Sequence, residues 1–395
     1  MPRRILALTL VLVVVISACT ASSAPTTNPS TTTTTEPTTT TTQPTTTTTA
    51  PFVVEGANEH LSKLIEDFYA YAAGIADEPP PMPAEVLAAI TPTPVDRPDG
   101  GIASSAAFQE QAIATVQVGN DLFLVVDDGA GFRIVGGEWP DIGVAGYYGT
   151  GPRLIAVVGS DARTGEPVDE TRADSIHFVG LDGAGGGAVV GLPRDSYVPV
   201  PGYGTRKITG SLALGGPEVM MESFRNLTEL PLEGYVLTGF AGFQGLVEIL
   251  GGIEVEVPFA INDVKAKAAL SAGLQILNGF DALAFARARK TVPGGDFTRS
   301  EHQGALLVAA ARGVRGMGPL AIPGLMEVAE PQLMTDLSPE QLLTFSVLAT
   351  KSNLDEMPNL VAPGSPGWAG SASVVYLHDA AYGIFADLAD GRLGE

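Results

Sequence analysis

The sequence of 395 residues has little cysteine and little histidine: one of the former and four of the latter. A single thiol, Cys19, excludes an internal disulfide and a cysteine-based metal site. The histidines are scattered, and no two have the spacing of a metal-ligand pair. His177 alternates within a predicted strand, which is typical of a core or edge residue. The four histidines are His60, His177, His302 and His378.

Basic residues are also scarce. Lys and Arg number 22 against 44 Asp and Glu, for a net charge of -22. This balance argues against nucleic-acid binding through a general basic field. Thirteen of the 22 cations fall within residues 151–300, and most of these are arginine. Such a concentration in an acidic chain indicates a local anion site.

Two common catalytic or nucleotide-binding signatures are missing. The chain has no Gly-x-Ser-x-Gly elbow and no Walker phosphate loop. The glycine-rich stretch 183–188 resembles a dinucleotide fingerprint only superficially, because a predicted strand follows it rather than a helix.

The N-terminus has the pattern of an export signal. Arg3 and Arg4 precede an apolar run, Ile5 to Ile16, which is short for a membrane span but suits a signal-peptide core. The run ends in Ile-Ser-Ala-Cys, which resembles the lipobox of bacterial lipoproteins and implies cleavage before Cys19 and lipid attachment to its sulfur. The alternative is an uncleaved anchor helix. Either reading predicts a domain at the outer face of the bacterial cytoplasmic membrane, within the cell envelope.

Residues 20–51 are almost entirely Thr, Pro, Ser and Ala. Such a segment cannot bury a core. It predicts a disordered tether that reaches on the order of 100 Å when extended and roughly 30 Å as a coil.

Residues 52–150 predict a small accessory α+β module without recognisable chemistry. Apolar residues recur at helical spacing over about 57–77, and a proline cluster at 79–83 follows. Short strands are predicted at 112–118, 122–126 and 132–135.

Residues 151–395 predict one α/β domain. Strands are expected at 154–158, 176–181, 188–192, 235–238, 253–257 and 373–377. Helices are expected at 217–230, 242–250, 281–288, 299–314, 339–348 and 380–388. Alternating strands and helices imply a sheet covered on both faces. The tight turn at 183–187 predicts an antiparallel pair and therefore a mixed sheet.

Charged residues follow the predicted strand ends. Asp161 comes after the first buried strand of this domain, and Asp174 precedes the next. Ligands usually bind at this edge of an open α/β sheet. Two such carboxylates suit Mg²⁺, which takes one or two carboxylates and completes its shell with water and phosphate. The alternative is a solvated polar loop.

Arginines gather at other strand and helix ends, in the clusters Arg194-Asp195, Arg206-Lys207, Arg287 to Lys290 and Asp296 to Arg299. The arginine fork binds phosphate oxygens at two points, which lysine cannot do. Cations at the end of a helix also complement its dipole, which is the simpler explanation for one cluster alone.

Several motifs in order resemble the LytR-CpsA-Psr family along residues 153 to about 315: GSDAR, ETRADS, LPRDSYVPVPGYGTRKI, LVEILGGIEVEV, AGLQILNGFDALAFARARK and DFTRSEHQ. The resemblance implies a three-layer α/β/α domain with a mixed central sheet and a hydrophobic lipid cleft. It also implies transfer of a glycopolymer from a polyprenyl-pyrophosphate carrier to peptidoglycan, as a phosphodiester. Two departures affect donor or acceptor preference: Thr209 where the family usually has Asn, and Ala173-Asp174-Ser175 where it usually has Ser-Asp-Thr.

The resemblance also implies roles for individual residues. The metal-binding aspartates fall on Asp161 and Asp174, for Mg²⁺ or Mn²⁺. Arg194, Asp195 and Asp296 are catalytic candidates, with the general base left open among Asp195, Asp296 and a metal-binding aspartate. The pyrophosphate-binding residues fall on Arg163, Arg172, Arg194, Arg287, Arg289 and Arg299, with Lys207 close by.

Two other functions remain open. A polyprenyl-pyrophosphate hydrolase would use the same residues, and only an acceptor-dependent product would separate it from a transferase. A non-catalytic lipoprotein that binds lipid or glycan would retain lipid binding without the two aspartates. The apolar stretches 246–250 and 280–285 suit either a lipid cleft or an ordinary core.

Overall fold

The computed structural model describes residues 52–95 and 98–394. The predicted signal peptide, Cys19 and the tether at 20–51 lie outside the described residues. The description below concerns the compact unit that starts at Ala50.

A six-stranded sheet forms the N-terminal part, in the order β1-β2-β3-β4-β5-β6. β1 and β2 are parallel, and the other neighbours are antiparallel. The strands are β1 (Val53–Glu55), β2 (Gly100–Phe108), β3 (Gln111–Val118), β4 (Asp121–Asp127), β5 (Phe132–Trp139) and β6 (Val144–Tyr147), and the helices are α1 (Glu59–Ala72) and α2 (Ala84–Ala89). The sequence predicts three strands in this part, and the structure has six. This part and the rest of the described residues belong to one compact unit, so the boundary at residue 150 stays a prediction.

Helix α1 covers one face of this sheet. Asn58 caps it by accepting a hydrogen bond from the Leu61 amide at 2.9 Å, which satisfies a free donor of the first turn. Phe68 stacks on Trp139 at a centroid separation of 5.6 Å, and both rings are fully buried. The helix ends before the proline cluster because Gly74 takes a φ of +68°, which stops the helical turn.

The C-terminal part has a mixed central sheet in the order β17-β12-β7-β8-β9-β18. β7 is parallel to β12, β9 is parallel to β18, and β8 is antiparallel to both of its neighbours. The remaining strands form hairpins that pair β10 with β11, β13 with β16, β14 with β15 and β19 with β20. The strands are β7 (Arg153–Ser160), β8 (Ala173–Leu181), β9 (Gly187–Gly191), β10 (Tyr197–Val200), β11 (Gly204–Lys207), β12 (Gly234–Thr238), β13 (Ile253–Val257), β14 (Ile261–Asp263), β15 (Ala268–Leu270), β16 (Gly273–Leu277), β17 (Met334–Thr335), β18 (Asn359–Val361), β19 (Gly364–Ala369) and β20 (Ala372–Leu377).

Helices cover both faces of the central sheet. α3 and α9 pack on the face that carries Leu154, Ala156 and Val158, while α7 and α8 pack on the face that carries Ile155. The α/β/α class with a mixed sheet is therefore confirmed. The helices are α3 (Gly210–Thr228), α4 (Phe240–Ile249), α5 (Gly279–Arg287), α6 (Asp296–Met317), α7 (Ile322–Ala329), α8 (Pro339–Lys351) and α9 (Asp379–Leu388).

Helix α3 starts earlier than the sequence predicts. A kink at Gly215 and Gly216 separates its first turn from the predicted helix, and Gly216 has a φ of +66°. Pro217 follows as the first residue of the second segment, where its missing amide proton costs nothing.

The directions of the strands decide where a site can form. β7, β9, β12 and β18 all run the same way, so their carboxyl ends meet at one edge of the sheet together with the amino end of β8. Within the described ranges no single helix is long and apolar enough to cross a membrane. One bent pair of helical segments, Asp296–Met317 with Pro319–Gln332, has the length and composition for a span, by those two criteria alone.

Candidate functional site

A cleft of about 760 Å³ opens at this edge of the sheet and has two different ends. Its polar end is lined by charged side chains that follow strand and helix ends. Its apolar end lies between α4, α5, α6 and β13. The charged residues are Asp161, Arg163, Glu166, Arg172, Asp174, Arg194, Asp263, Lys265, Arg287, Arg289, Lys290 and Arg299, and the apolar residues include Phe243, Leu246, Val247, Leu250, Ile253, Leu283, Leu306, Leu307 and Ala310.

Asp161 directly follows β7 and is held by Arg172. One carboxylate oxygen accepts from the Arg172 amide at 3.0 Å, and the other accepts from the guanidinium Nε at 3.0 Å and from Nη2. The side chain of Arg172 is 59% exposed, so it can release Asp161 and turn to another anion at little cost. The pKa of Arg172 is raised by the hydrogen bond and charge of Asp161.

Asp174 reaches the cleft because it sits in a β-bulge. Gly159 pairs with Ser175 and Ser160 pairs with Ala173, so Asp174 has no partner in the ladder. Bulges of this kind re-aim a side chain next to functional sites. Its carboxylate accepts hydrogen bonds from the Arg194 guanidinium and from the Thr209 hydroxyl, the latter at 3.2 Å.

Asp296, the first residue of α6, forms ion pairs with three arginines. It accepts from Arg194 Nε at 3.3 Å, Arg289 Nη1 at 3.2 Å and Arg299 Nη2 at 3.2 Å. Burial raises the pKa of Asp296, but the charges of Arg299 and Arg194 and the contact with Arg289 outweigh burial and lower it. Asp296 is therefore a stable anion that organises the arginines.

Arg299 is the most buried cation of the cleft, with 8% of its side chain exposed. Burial and the charge of Arg194 lower its pKa to about 10. Its buried Nε has no hydrogen-bond partner in the part of the chain that the structure describes. A desolvated guanidinium with a free donor is an arrangement that favours an anionic ligand.

Asp263 fixes the backbone around Lys265, Arg289 and Lys290, which we call the basic rim of the cleft. One oxygen accepts from the amides of Lys265 and Ala266, and the other accepts from the amides of Arg289 and Lys290, at 2.8–3.2 Å. Burial raises the pKa of Asp263, but the four backbone hydrogen bonds lower it overall. The hairpin β14–β15 is thereby joined to the segment after α5.

Sequence reasoning missed Asp263 and Lys265 as parts of this site, whereas Lys290 stands in the predicted cluster Arg287 to Lys290. The concentration of cations in 151–300 was the only signal that covered Lys265. Arg287, which was predicted, lies over the Phe240 ring at 4.6 Å from its centroid. This cation–π contact steadies the arginine at the rim of the cleft.

Three predicted site residues do not line the cavity: Asp195, Lys207 and Asp296. Lys207 forms an ion pair with Asp195 at 2.9 Å, and neither side chain lines the cavity. His177 is a buried core residue: Nε2 donates to the Ser300 carbonyl at 3.0 Å, and Nδ1 faces the Ser175 hydroxyl at 3.3 Å. Burial lowers the pKa of His177 to about 4.

The pair Asp161 and Asp174 is chemically suited to a hard divalent cation. Both carboxylates line the polar end of the cleft from neighbouring strands. Among the described residues no group of three or more His, Cys, Asp or Glu is arranged for a metal. Two carboxylates are a donor set that an ion such as Mg²⁺ takes when water and substrate oxygens fill its other positions.

The fold and the cleft together define a three-layer α/β/α protein with an arginine-rich pocket that continues into an apolar one. Residues 141–385 match the LytR_cpsA_psr family, and the chain belongs to that family. The predicted family resemblance is thus confirmed.

Two curated relatives are similar over part of their length. The polyisoprenyl-teichoic acid–peptidoglycan teichoic acid transferase TagU of Bacillus subtilis is 33% identical over 154 residues, which is 38% of this chain and 49% of TagU. The probable cell wall biosynthesis protein LcpB of Corynebacterium glutamicum is 31% identical over 150 residues, which is 35% of this chain and 36% of LcpB. The matched part of this chain thus spans less than half of either relative.

Solved structures share the fold. The crystal structure of TagV from B. subtilis matches with a TM-score of 0.53 and 26% identity, over 61% of this chain and 98% of TagV. The structure of TagT bound to LI-WTA matches with a TM-score of 0.52 and 21% identity, over 62% of this chain and 92% of TagT, and is similar in fold alone.

Proposed function

We propose that this protein transfers a glycopolymer from a polyprenyl-pyrophosphate carrier to peptidoglycan, forming a phosphodiester. The observation that carries the proposal is Arg299, whose buried guanidinium keeps a free donor and a lowered pKa at the polar end of the cleft. Arg194 and Arg289 join it through Asp296. Three arginines around one carboxylate leave an excess of positive charge, which a diphosphate neutralises.

The apolar end supports a lipid carrier. α4, α5 and α6 contribute the apolar side chains that continue from the arginines. The volume of about 760 Å³ lies in the range of roughly 300–1,000 Å³ typical of small-molecule pockets. A molecule with a diphosphate and a long hydrocarbon chain matches both ends of this cleft.

The names of the relatives support transfer to the cell wall. TagU is named a polyisoprenyl-teichoic acid–peptidoglycan teichoic acid transferase, and LcpB a probable cell wall biosynthesis protein. We infer the same class of reaction here, with a polyprenyl-pyrophosphate-linked glycan as donor and peptidoglycan as acceptor.

We assign Asp161 and Asp174 as the residues that would hold Mg²⁺ or Mn²⁺. When bound, such an ion supplies neutralising charge to the diphosphate. Arg172 and Arg194, which pair with these aspartates, then hold phosphate oxygens, with Arg163, Arg287, Arg289 and Arg299 completing the anion site.

During transfer, the residues of this chain position the substrates and neutralise the charge of the diphosphate, as phosphoryl transfer requires. The oxygen of an acceptor sugar hydroxyl bonds to the glycan-side phosphorus. The bond from that phosphorus to the bridging oxygen breaks, and polyprenyl phosphate leaves with the electron pair. We assign the hydroxyl proton to Asp195 or to a metal-holding aspartate rather than to Asp296, whose lowered pKa makes it a weak base.

The predicted signal peptide and Cys19 suit this function. We propose that lipidation of Cys19, or an uncleaved anchor helix, holds the protein at the outer face of the bacterial cytoplasmic membrane. The tether at 20–51 then allows the folded part to reach both the lipid carrier and the wall.

The test incubates the full chain in detergent with a polyprenyl-pyrophosphate-linked oligosaccharide, Mg²⁺ and soluble peptidoglycan fragments. Mass spectrometry then detects glycan joined to the acceptor through a phosphodiester. Arg299→Lys keeps a charge but loses the fork, so we expect donor affinity to fall at least tenfold, since a charge-assisted hydrogen bond contributes about 1.5–3 kcal/mol. Asp174→Asn is expected to abolish product formation, because it removes a negative charge that would hold Mg²⁺.

Arg315→Ala is the matched control, because Arg315 lies on the same helix but pairs with Asp355 outside the cleft. Donor affinity that falls at least tenfold with Arg299→Lys, product formation that is lost with Asp174→Asn, and both kept with Arg315→Ala support the proposal. Free glycan phosphate without an acceptor product indicates a hydrolase instead. Tight lipid binding without any turnover, unchanged by Asp174→Asn, indicates a non-catalytic lipid-binding protein.

A further inference from the structure

Two hairpins stand at the same edge of the central sheet as the cleft. β9 and β18 are parallel neighbours that end at this edge. The chain continues from β9 through Arg194 into the hairpin β10–β11, and from β18 into the hairpin β19–β20. The two hairpins touch through a bridge between Ser196 and Val375 and a hydrogen bond from the Val375 amide to the Asp195 carbonyl.

The hairpins that leave this edge of the sheet carry exposed aromatic rings. Trp368 is 70% exposed and Tyr376 is 44% exposed, and the ring of Tyr197 lies 6.0 Å from that of Tyr376 in an edge-to-face arrangement. Tyr203 is 37% exposed and lies under the guanidinium of Arg206. We call Tyr197, Tyr203, Trp368 and Tyr376 the aromatic surface. None of the four lines the cavity, as far as the described residues show.

Polar groups border these rings. Ser365 is paired across the hairpin with Tyr376, and its hydroxyl lies 2.7 Å from His378 Nε2. The ion pair between Asp195 and Lys207 lies where the hairpins leave the sheet. Exposed rings beside hydroxyl, imidazole and carboxylate groups suit a carbohydrate, because a pyranose ring presents an apolar face for stacking and hydroxyls at its rim. A lipid or an apolar peptide would remove these polar groups from water without offering them hydrogen bonds in return.

We propose that the aromatic surface binds the glycan strand of the peptidoglycan acceptor. This inference rests on the proposed function and extends it to the second substrate. The donor already gains affinity from its diphosphate and hydrocarbon chain inside the cleft. The acceptor has no such groups, and a single sugar hydroxyl provides little binding energy, so contacts outside the cleft must hold it. Asp195 leads directly into the hairpin that carries Tyr197, so one of the two candidate proton acceptors borders the acceptor surface.

Trp368 provides a direct readout of binding. The chain has two tryptophans, and the other, Trp139, is fully buried. Acrylamide quenching of tryptophan emission therefore reports chiefly on Trp368. We expect soluble glycan strands, prepared from peptidoglycan by removing the stem peptides, to protect the full chain from quenching. The free donor glycopolymer, added at the same sugar concentration, should give no protection.

Variants test which side chains of the aromatic surface contact the glycan strand. Trp368→Ala and Tyr376→Ala should each weaken glycan-strand binding about tenfold by calorimetry, a difference of 1.4 kcal/mol. Phe280→Ala, which removes a ring that is 52% exposed on α5, should leave it unchanged. All three should bind a soluble diphosphate as the parent does, because none of these side chains lines the cavity.

The outcomes separate this inference from the proposed function. Protection by glycan strands that is lost with Trp368→Ala supports the acceptor surface, even if no transfer product forms. Transfer that proceeds with an unchanged acceptor KM in Trp368→Ala overturns the acceptor surface and leaves the transferase intact. Protection by the donor glycopolymer alone also overturns it and assigns the rings to the donor glycan.

Discussion

Thr209 donates its hydroxyl to the Asp174 carboxylate at 3.2 Å. The same residue is held on both sides by its backbone, since its carbonyl accepts from the Ala173 amide and its amide donates to the Arg194 carbonyl, each at 3.0 Å. The family resemblance leads us to expect an asparagine at this position. The threonine hydroxyl thus provides a donor to the bulged aspartate that the asparagine amide would otherwise provide.

This contact predicts a difference between two small substitutions. Thr209→Val keeps the shape of the side chain but removes the donor, so we expect about 1 kcal/mol of lost stability and a several-fold lower kcat/KM for donor turnover. Thr209→Ser keeps the hydroxyl and should stay within about twofold of the parent, by the same principle. Equal activity of the two variants would contradict a role for the hydroxyl.

A second prediction concerns the four backbone hydrogen bonds that the Asp263 carboxylate accepts. Asp263→Ala leaves four backbone amides without their acceptor, so we expect a loss of about 2–4 kcal/mol in the free energy of unfolding. Hydrogen exchange should speed up at the amides of Lys265, Ala266, Arg289 and Lys290 in particular. Donor affinity should fall as well, because the basic rim loses its position.

Asp281→Ala serves as the control, since Asp281 is an acidic residue at the start of α5 and does not line the cavity. It should leave exchange at those four amides unchanged. Unaltered exchange in Asp263→Ala would mean that the rim is held by other contacts.

The buried imidazole of His177 predicts a pH dependence of stability. Burial lowers its pKa from 6.5 to about 4, so the unfolded chain binds the proton first as the pH falls. Stability should therefore decrease between pH 6.5 and pH 4, by up to about 3 kcal/mol from this residue. Urea unfolding across this range measures the slope.

His177→Gln should reduce that slope but not abolish it, because the pKa of His302 is also lowered to about 4, mainly by burial. His60→Gln changes an exposed histidine and should leave the slope as it is. A slope identical in all three proteins would show that the imidazole of His177 is not neutral in the fold.

The sequence predicts the central sheet well because its strands are continuous apolar runs. β7, β8, β9 and β12 lie close to the expected bounds, and the mixed character follows from the short turn between β8 and β9. The strands β10, β11 and β19 were missed because glycine, proline and serine interrupt them, whereas β20 was predicted at 373–377. β2 was missed for a related reason, since Gly100–Phe108 carries small side chains and little apolar periodicity.

The residues of the site also divide into those that the sequence predicts and those that it does not. Asp161, Asp174 and the arginines stand in recognisable motifs, and the structure brings most of them to one cleft. Asp263 could not be found in this way, because its carboxylate acts on amides 26 and 27 residues further along the chain. Likewise, the spacing of Asp195 and Lys207 does not show that they pair with each other beside the cleft.

The β-bulge at Asp174 has a consequence for how this protein can change. Its side chain takes no part in strand pairing, because Ala173 and Ser175 carry the ladder on either side. The register of the sheet therefore does not depend on which residue occupies this position. A lineage could exchange the aspartate, lose or alter the chemistry, and still inherit an intact scaffold with its cleft.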